Sequence, residues 1–281
     1  MSAPAPVAGR AAPPPGHFAL PPGRYGLGGV LAAEWTKLRT VRSTLWTLGV
    51  TVVLGIGLGA VATATTAARW RTMSFVEHLT FDPARVSLTG ILLAQLAVGI
   101  LGVLVVSAEY GTGTIRATFA AVPRRPLVLV AKAAVFGTVA LVVGEVVSFA
   151  AFLLGQALLT APAPHTTLGA PGVTRAVVGA GLYLTVLGLL ALGLAAIIRH
   201  TAGAISAFVG ILLILPLIVA ALPSSIGGPI GRYLPANIGV VLLSVRPQDG
   251  SFPAWGGLGI LCGYAAAALV VGGVVLTRRD A

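Results

Sequence analysis

Apolar residues run almost without charged interruption through six long blocks of the chain. The blocks lie at about Leu45–Ala68, Val86–Ala108, Ala133–Leu159, Ala176–Ile198, Ala202–Leu222 and Trp255–Leu276. At a rise of about 1.5 Å per residue, a helix of ~20 residues crosses the roughly 30 Å hydrocarbon core of a bilayer. The apolar positions do not alternate with polar ones, as the strands of a membrane barrel require. We therefore expect an all-α integral membrane protein with six transmembrane helices.

The segment before the first block contains two different patterns. Residues 1–29 are rich in Pro, Gly and Ala and have no apolar core of signal-peptide length, which predicts a disordered cytoplasmic tail before a membrane domain at 30–281. Apolar side chains then recur at helical spacing, with basic residues beside them. These positions are Leu31, Trp35 and Leu38, flanked by Lys37 and Arg39. We expect an N-terminal amphipathic interfacial helix, which either anchors the chain or contacts a cytoplasmic partner.

Composition supports a membrane protein and narrows its chemistry. Apolar residues make up 57% of the 281 positions and charged residues 9%, and the mean hydropathy is +0.98. The net charge of +11 comes from 18 basic and 7 acidic residues, a balance typical of segments that flank membrane spans. The sequence has no basic stripe with interleaved aromatic residues, which is the pattern that would indicate nucleic acid binding. The single cysteine, Cys262, excludes an intrachain disulfide and a cysteine-based metal site.

Lysine and arginine are distributed unequally between the two sides of the predicted spans. The side of the N-terminus carries Arg10, Arg24, Lys37, Arg39, Arg42, Arg116, Arg124, Arg125, Lys132, Arg199, Arg278 and Arg279. The opposite side carries Arg69, Arg71, Arg85, Arg175, Arg232 and Arg246. The positive-inside rule therefore places both termini in the cytoplasm. Scarce lysine and abundant Ala, Gly and Val indicate a GC-rich bacterial genome, so we expect the bacterial cytoplasmic membrane.

The loop between the second and third blocks has the densest set of turn and charge signals. Glycines permit a tight turn after the second span, and the residues beyond it can form a short helix that a proline stops. In chain order these positions are Glu109, Gly111, Gly113, Thr114, Arg116, Pro123, Arg124, Arg125 and Lys132. Such a loop is either a rigid cytoplasmic protrusion that transmits force from a partner or an ordinary polar hairpin.

The loop before the sixth block, from Pro223 to Ala254, is long and unusually apolar. Its stretch LPANIGVVLLS is too short to span a bilayer, and Pro235 is a favourable first residue for a helix. We expect a re-entrant or interfacial helix that starts at Pro235. Irregular backbone at membrane depth survives only where it packs on protein or lines a cavity, so the segment either caps a pathway or is a packed loop.

One carboxyl and two carboxamide side chains lie inside the predicted spans. A carboxylate at the bilayer centre costs about 2.5–3.5 kcal/mol on insertion scales, so Glu145 should face protein or water. It either pairs with a basic residue or backbone of a neighbouring helix, lines a substrate path, or relays protons. Gln95 and Gln156 are milder cases, for which we expect hydrogen bonds between helices.

Glycines spaced four residues apart occur in the first and last spans. The pairs are Gly55 with Gly59 and Gly259 with Gly263. Small residues at this spacing let two helix backbones approach closely, so each pair predicts a helix contact.

The residues of an intramembrane enzyme are missing from the sequence. A hydrolase needs a nucleophile with a base, or a metal with its ligands. The four histidines, His17, His78, His165 and His200, lie in the tail, the loops and one span end. The sequence contains no H-E-x-x-H or G-x-S-x-G motif, and Glu145 alone cannot form an acidic pair. We therefore expect a protein that is not an enzyme and has no metal.

The order of these features resembles a known family, the permease subunits of ABC exporters of the type-two class, which have the type V exporter fold. The resemblance covers about 30–281 and rests on EWTKLR, E-Y-G-T-G-T-I-R-A-T, P-R-R and the lysine that opens the third span. The end Arg278-Arg279-Asp280 is similar to that of actinobacterial members. In this family the loop between the second and third spans is the coupling helix, and the matching positions are Glu109, Gly113, Thr114, Pro123, Arg124, Arg125 and Lys132.

The resemblance implies an exporter subunit whose energy comes from another protein. No G-x-x-x-x-G-K-[ST] phosphate loop is present, so a separate ATP-binding subunit would hold the ATP and this chain would need no cofactor. Six spans are half of what the family uses, which implies a homodimer or a heterodimer with a second permease. The substrate stays unidentified. Two alternatives remain open: an ion-coupled secondary transporter that uses Glu145, and a non-transporting membrane anchor or assembly protein.

Overall fold

The computed structural model describes residues 26–122, 124–247 and 250–278. That part of the chain is helical and contains no strand. The six long apolar helices are α2 (Arg42–Thr72), α5 (Ile91–Gly111), α7 (Arg125–Leu158), α8 (Val173–Ile198), α9 (Thr201–Ala220) and α12 (Ala254–Arg278). The shorter helices are α1 (Leu27–Thr40), α3 (Phe75–Thr80), α4 (Pro83–Ser87), α6 (Thr114–Ala121), α10 (Ser224–Gly231) and α11 (Pro235–Leu243). The all-α class and the six spans are confirmed.

Several helix ends differ from the prediction, either because a helix extends beyond the predicted span or because a short helix and a turn precede it. The third span begins at Arg125 rather than Ala133, where Pro126 occupies a first-turn position that needs no N–H. The second span begins at Ile91 rather than Val86, because α4 and a turn precede it. Helix α1 begins at Leu27, inside the segment predicted as tail. Most of that tail, residues 1–25, lies outside the described residues.

Helix α8 forms the centre of the bundle. It packs against α5, α7, α11 and α12, and 72% of its most apolar stretch is buried, compared with 17% for α2. The close approach of α5 needs a glycine, since a Cβ at Gly102 would overlap the carbonyl oxygen of Gly188. Tyr183, Phe136 and Phe208 fill the core around these contacts. The other spans are therefore arranged around a helix that lipid hardly reaches.

The two least buried spans each contain a π-helical turn. These turns are Val53–Gly57 in α2 and Gly210–Ile214 in α9. In α2, the carbonyls of Leu54 and Gly55 approach the backbone at Gly90 so closely that a Cβ there would overlap them. The π turn of α2 is thus the point where the first span contacts the turn before α5.

We call the end of the bundle that bears α1 and α6 the hairpin end, and the end that bears α3, α4, α10 and α11 the cap end. As predicted, α11 begins at Pro235. The hydroxyl of Tyr183 in α8 donates to the carbonyl of Pro235 (3.2 Å), and the hydroxyl of Tyr264 in α12 donates to that of Tyr233 (3.2 Å). Because both tyrosines lie well inside their spans, α10 and α11 form a re-entrant pair that enters and leaves at the cap end.

A buried carboxylate ties the far end of this pair to the rest of the cap end. Asp82, which is 6% exposed, accepts hydrogen bonds from the Ser244 hydroxyl (2.9 Å) and the Val245 amide (2.8 Å). It also caps α4 by accepting from the Arg85 amide (3.1 Å). The Arg175 guanidinium donates to the carbonyl of Ser244 (2.7 Å). The residues after α11 are therefore fixed between α4 and the start of α8.

Candidate functional site

Four charged side chains from three chain segments meet at the hairpin end. The Lys132 ammonium lies 2.8 Å from Glu34 Oε2 and 2.6 Å from Glu109 Oε1. The Lys37 ammonium lies 2.9 Å from Glu34 Oε1 and 2.8 Å from Glu109 Oε1. We call these residues the charge quartet. With two positive and two negative groups it is neutral, and it joins α1 to the end of α5 and the start of α7.

The quartet is largely shielded from solvent. The exposed fractions of the side chains are 3% for Lys132, 5% for Glu34 and 12% for Glu109, whereas Lys37 is 40% exposed. Desolvating a charge costs several kcal/mol, and the cost is offset only when opposite charges and hydrogen bonds surround it. Lys132 is the least exposed of the four. The quartet is thus an internal joint with Lys37 at its rim.

The protonation of Lys37 follows from its position at this rim. Burial lowers the pKa of Lys37, but the hydrogen bonds and charges of Glu109 and Glu34 outweigh it, so the pKa is raised above the usual 10.5. Lys37 therefore stays charged throughout the neutral range. At neutral pH the attractions that Lys37 contributes between α1 and the spans are therefore present.

The face of α1 that packs on the spans is shifted by one residue from the predicted stripe. Its buried positions are Val30, Glu34 and Leu38. Trp35 is 49% exposed, while Leu31 is half-buried and Arg39 is exposed. The packing face and the predicted stripe share Leu38, while Trp35 lies outside the packing face, because the salt bridges draw Glu34 inward. Sequence reasoning missed Glu34, although its i, i+3 spacing from Lys37 was a usable signal.

Helix α6 follows α5 through a turn that depends on one glycine. Gly113 has a φ of +72°, a left-handed conformation that a glycine adopts without strain. Ile115 is buried beneath the helix, whereas Thr114, Arg116 and Arg124 are exposed. Pro123 lies outside the described residues. Of the predicted coupling residues, these exposed ones form an outward surface, and Glu109 and Lys132 lie in the quartet.

Two arginines connect the hairpin end to the last helix. The guanidinium of Arg125 donates to the carbonyl of Leu276 (3.2 Å), and that of Arg199 donates to the carbonyl of Val275 (2.7 Å). Arg125 also lies over the Phe119 ring of α6, 5.4 Å from its centroid. Cations at the C-terminal carbonyls of a helix are favourable, since those groups carry partial negative charge. The end of α12 is thus held by the same segment that carries α6.

The intramembrane polar residues have different surroundings. Gln95 accepts a hydrogen bond from the Tyr183 hydroxyl (2.6 Å) and so links α5 to α8. Gln156 donates to the Ser87 hydroxyl (2.8 Å) and links α7 to α4. Glu145 lies against Gly181 of α8, and its Oε2 is buried without a hydrogen-bond partner among the described residues. No basic residue in that part of the chain forms an ion pair with it.

The described ranges hold no group of His, Cys, Asp and Glu side chains suited to a metal ion. Comparison of the chain with protein-family models and with curated proteins finds no match. The geometry of the quartet, α6 and the re-entrant pair is therefore the guide to function.

Proposed function

We propose that this protein is the membrane subunit of an ABC exporter, driven by a separate ATP-binding subunit. The charge quartet is the observation that carries the proposal. The quartet joins the interfacial helix α1 to the spans α5 and α7, next to the exposed hairpin helix α6. A partner that pushes on α6 needs such a connection to move the spans. In this proposal the hairpin end faces the cytoplasm, and two such permease chains assemble with two ATP-binding subunits.

The proposed mechanism begins at the exposed surface of α6. Thr114, Arg116 and Arg124 contact the ATP-binding subunit, which moves when it binds ATP. Phe119 and Arg125 pass the displacement to the end of α12, and the quartet passes it to α1, α5 and α7. Because buried ion pairs are costly to separate, these elements move together rather than sliding past one another. The spans then open a path at the cap end, beside the re-entrant pair.

Affinity purification of the tagged full-length protein from native membranes tests the partner. We expect wild type to recover a protein with a P-loop ATPase motif. Charge reversal by Arg116→Glu with Arg124→Glu should greatly reduce that recovery, because a rim charge that meets the wrong sign costs affinity. Arg71→Glu, at an exposed arginine of the cap end, is the matched control and should recover the ATPase normally. Failure of wild type to recover any ATPase would contradict the proposal.

One observation favours a second candidate, an ion-coupled transporter. The buried Glu145 Oε2 has no hydrogen-bond partner among the described residues, and an ionisable group within a span marks a functional site by default. Transport that a protonophore abolishes, that ATP depletion spares and that Glu145→Gln eliminates would favour this candidate. An exporter driven by ATP should keep part of its transport in Glu145→Gln.

A further inference from the structure

Arg232 occupies the turn between the two re-entrant helices. This turn is level with the hydroxyls of Tyr183 and Tyr264, which bind the neighbouring carbonyls of Pro235 and Tyr233. Arginine is expensive at such a place, so its partner is informative. Within the described part of the chain Arg232 forms no ion pair, since the ion pairs found there all belong to the charge quartet.

Two aromatic rings hold the Arg232 side chain in place. Its guanidinium carbon lies 5.2 Å from the centroid of Tyr233 and 5.1 Å from that of Phe252. The two rings contact each other edge to face, with centroids 5.0 Å apart. Stacking satisfies the planar faces of a guanidinium and leaves its N–H edge for a planar or tetrahedral anion. The side chain is thus oriented for a ligand that carries negative charge.

Arg232 lines two cavities, of which one contains more polar side chains than the other. The cap cleft, about 630 Å³, opens at the cap end and includes the polar residues Ser224 and Asn237. The deep groove, about 480 Å³, runs further into the bundle and is lined by apolar side chains. These include Leu190, Ile211, Leu215 and Ile230. A cation therefore stands between a cleft that includes polar side chains and an apolar groove.

We propose that Arg232 binds the anionic head group of a membrane amphiphile, with its apolar tail in the deep groove and the rest of its head group in the cap cleft. The unpaired cation supplies charge complementarity, and the groove supplies the apolar surface that a free anion would not need. If the protein is the proposed exporter, this amphiphile is the class of molecule that it moves, and to that extent the assignment rests on the proposed function. Binding itself involves this chain alone.

The test uses the full-length protein purified in an uncharged detergent and given phosphatidylglycerol or phosphatidylcholine with the same acyl chains. Native mass spectrometry then counts the lipids retained. Wild type should prefer phosphatidylglycerol, and Arg232→Ala should weaken its retention by about tenfold, the loss typical of one charge-assisted contact. Arg232→Lys should keep part of the preference. Arg85→Ala, at another exposed cap-end arginine, should behave as wild type.

A second pair of variants tests the tail. Leu215→Trp fills the deep groove and should reduce the retention of both lipids. Leu213→Trp is its matched control, since both leucines are 39% exposed on the same helix and only Leu215 lines the groove. Inorganic phosphate at millimolar concentration should not displace the lipid.

Three outcomes would overturn the inference: an unchanged lipid preference in Arg232→Ala, an unchanged retention in Leu215→Trp, or displacement by phosphate alone. None of them bears on whether an ATPase is recovered with the protein, so the two proposals fail separately.

Discussion

The two ends of the bundle bury charged side chains in different ways. At the hairpin end, Lys132 and Glu109 are matched by opposite charges from α1, and the four groups of the quartet depend on one another. At the cap end, Asp82 is buried to a similar extent but is bound by the neutral donors of Ser244 and Val245. Arg175 is likewise bound by backbone carbonyls. The quartet is thus held by mutual compensation, beside the arginine–carbonyl bonds of the same end, whereas Asp82 and Arg175 at the cap end are held by separate hydrogen bonds.

This difference determines how each end responds to change. A hydrogen bond to the backbone is local, so its loss frees one loop. An ion-pair network is collective, because removing one charge leaves its neighbours buried without compensation. A collective ion-pair network suits a joint that passes motion between three helices. Local hydrogen bonds suit a fixed closure.

Lys132→Met should produce the largest effect. It leaves Glu34 and Glu109 buried with only Lys37 to compensate them, and breaking such a network costs about 3–5 kcal/mol. Unfolding in mixed micelles, followed by tryptophan fluorescence, measures the loss. Adding Glu34→Gln to Lys132→Met restores neutrality and should recover more than half of it. A double variant as unstable as the single one would show that charge compensation is not the cause.

Asp82→Ala should have a smaller and more local effect. It removes the cap of α4 and leaves the Val245 amide without its acceptor, which together cost about 2–4 kcal/mol. Asp82→Asn keeps an acceptor oxygen and should cost less than half as much. Proteolysis of the loop after α11 would detect the local release before global unfolding does. If both variants destabilised α1 as strongly as Lys132→Met does, the contrast between the two ends would not hold.

Gly59→Ala and Gly259→Ala compare packing on two helices that had the same predicted motif. A Cβ at Gly59 would overlap the Ser87 carbonyl oxygen, whereas one at Gly259 meets nothing within 4 Å. We expect the first substitution to destabilise by about 1–3 kcal/mol through overpacking. The second should be neutral or stabilise by up to about 1 kcal/mol, since alanine favours a helix more than glycine does. Melting temperatures in detergent give the comparison.

Lys37→Gln should have the smallest effect at neutral pH, about 1 kcal/mol or less, because the Lys37 side chain is the exposed member of the quartet. Its pKa is raised in the folded protein, so its contribution is fully present below the unfolded pKa. That contribution is lost as the pH rises through the folded pKa, above the usual 10.5. The difference in stability between wild type and Lys37→Gln should therefore vanish at strongly alkaline pH. A difference that persists there would contradict this assignment.

The six spans could be predicted because a bilayer imposes a simple length and apolarity on each helix. Their ends could not, since the apolar run at 127–131 was assigned to the loop before Ala133, whereas α7 extends through it and Lys132 to Arg125. The start of α11 was predictable from Pro235, whose fixed φ suits a first turn. The depth of the re-entrant pair was not predictable, because it depends on hydrogen bonds from tyrosines of two other helices.

The candidate site was predictable in three of its four members but not in its geometry. Glu109, Lys132 and Lys37 were named from motif and pattern, yet Lys37 and Glu109 are 72 positions apart, and no local rule pairs them. Glu34 was missed because only the apolar stripe of α1 and the basic residues beside it were singled out. Likewise, Gly259 and Gly263 matched a packing motif and face open space in the described structure, since spacing alone does not say which side of a helix has a neighbour.

The charge quartet contains both lysines of the chain. An amine-reactive reagent therefore has two side-chain targets in the whole protein, one reachable and one enclosed by carboxylates. The ratio of label on Lys132 to label on Lys37, measured by peptide mass spectrometry, reports how often the charge quartet opens. No engineered reporter has to be introduced to take that measurement in a living cell.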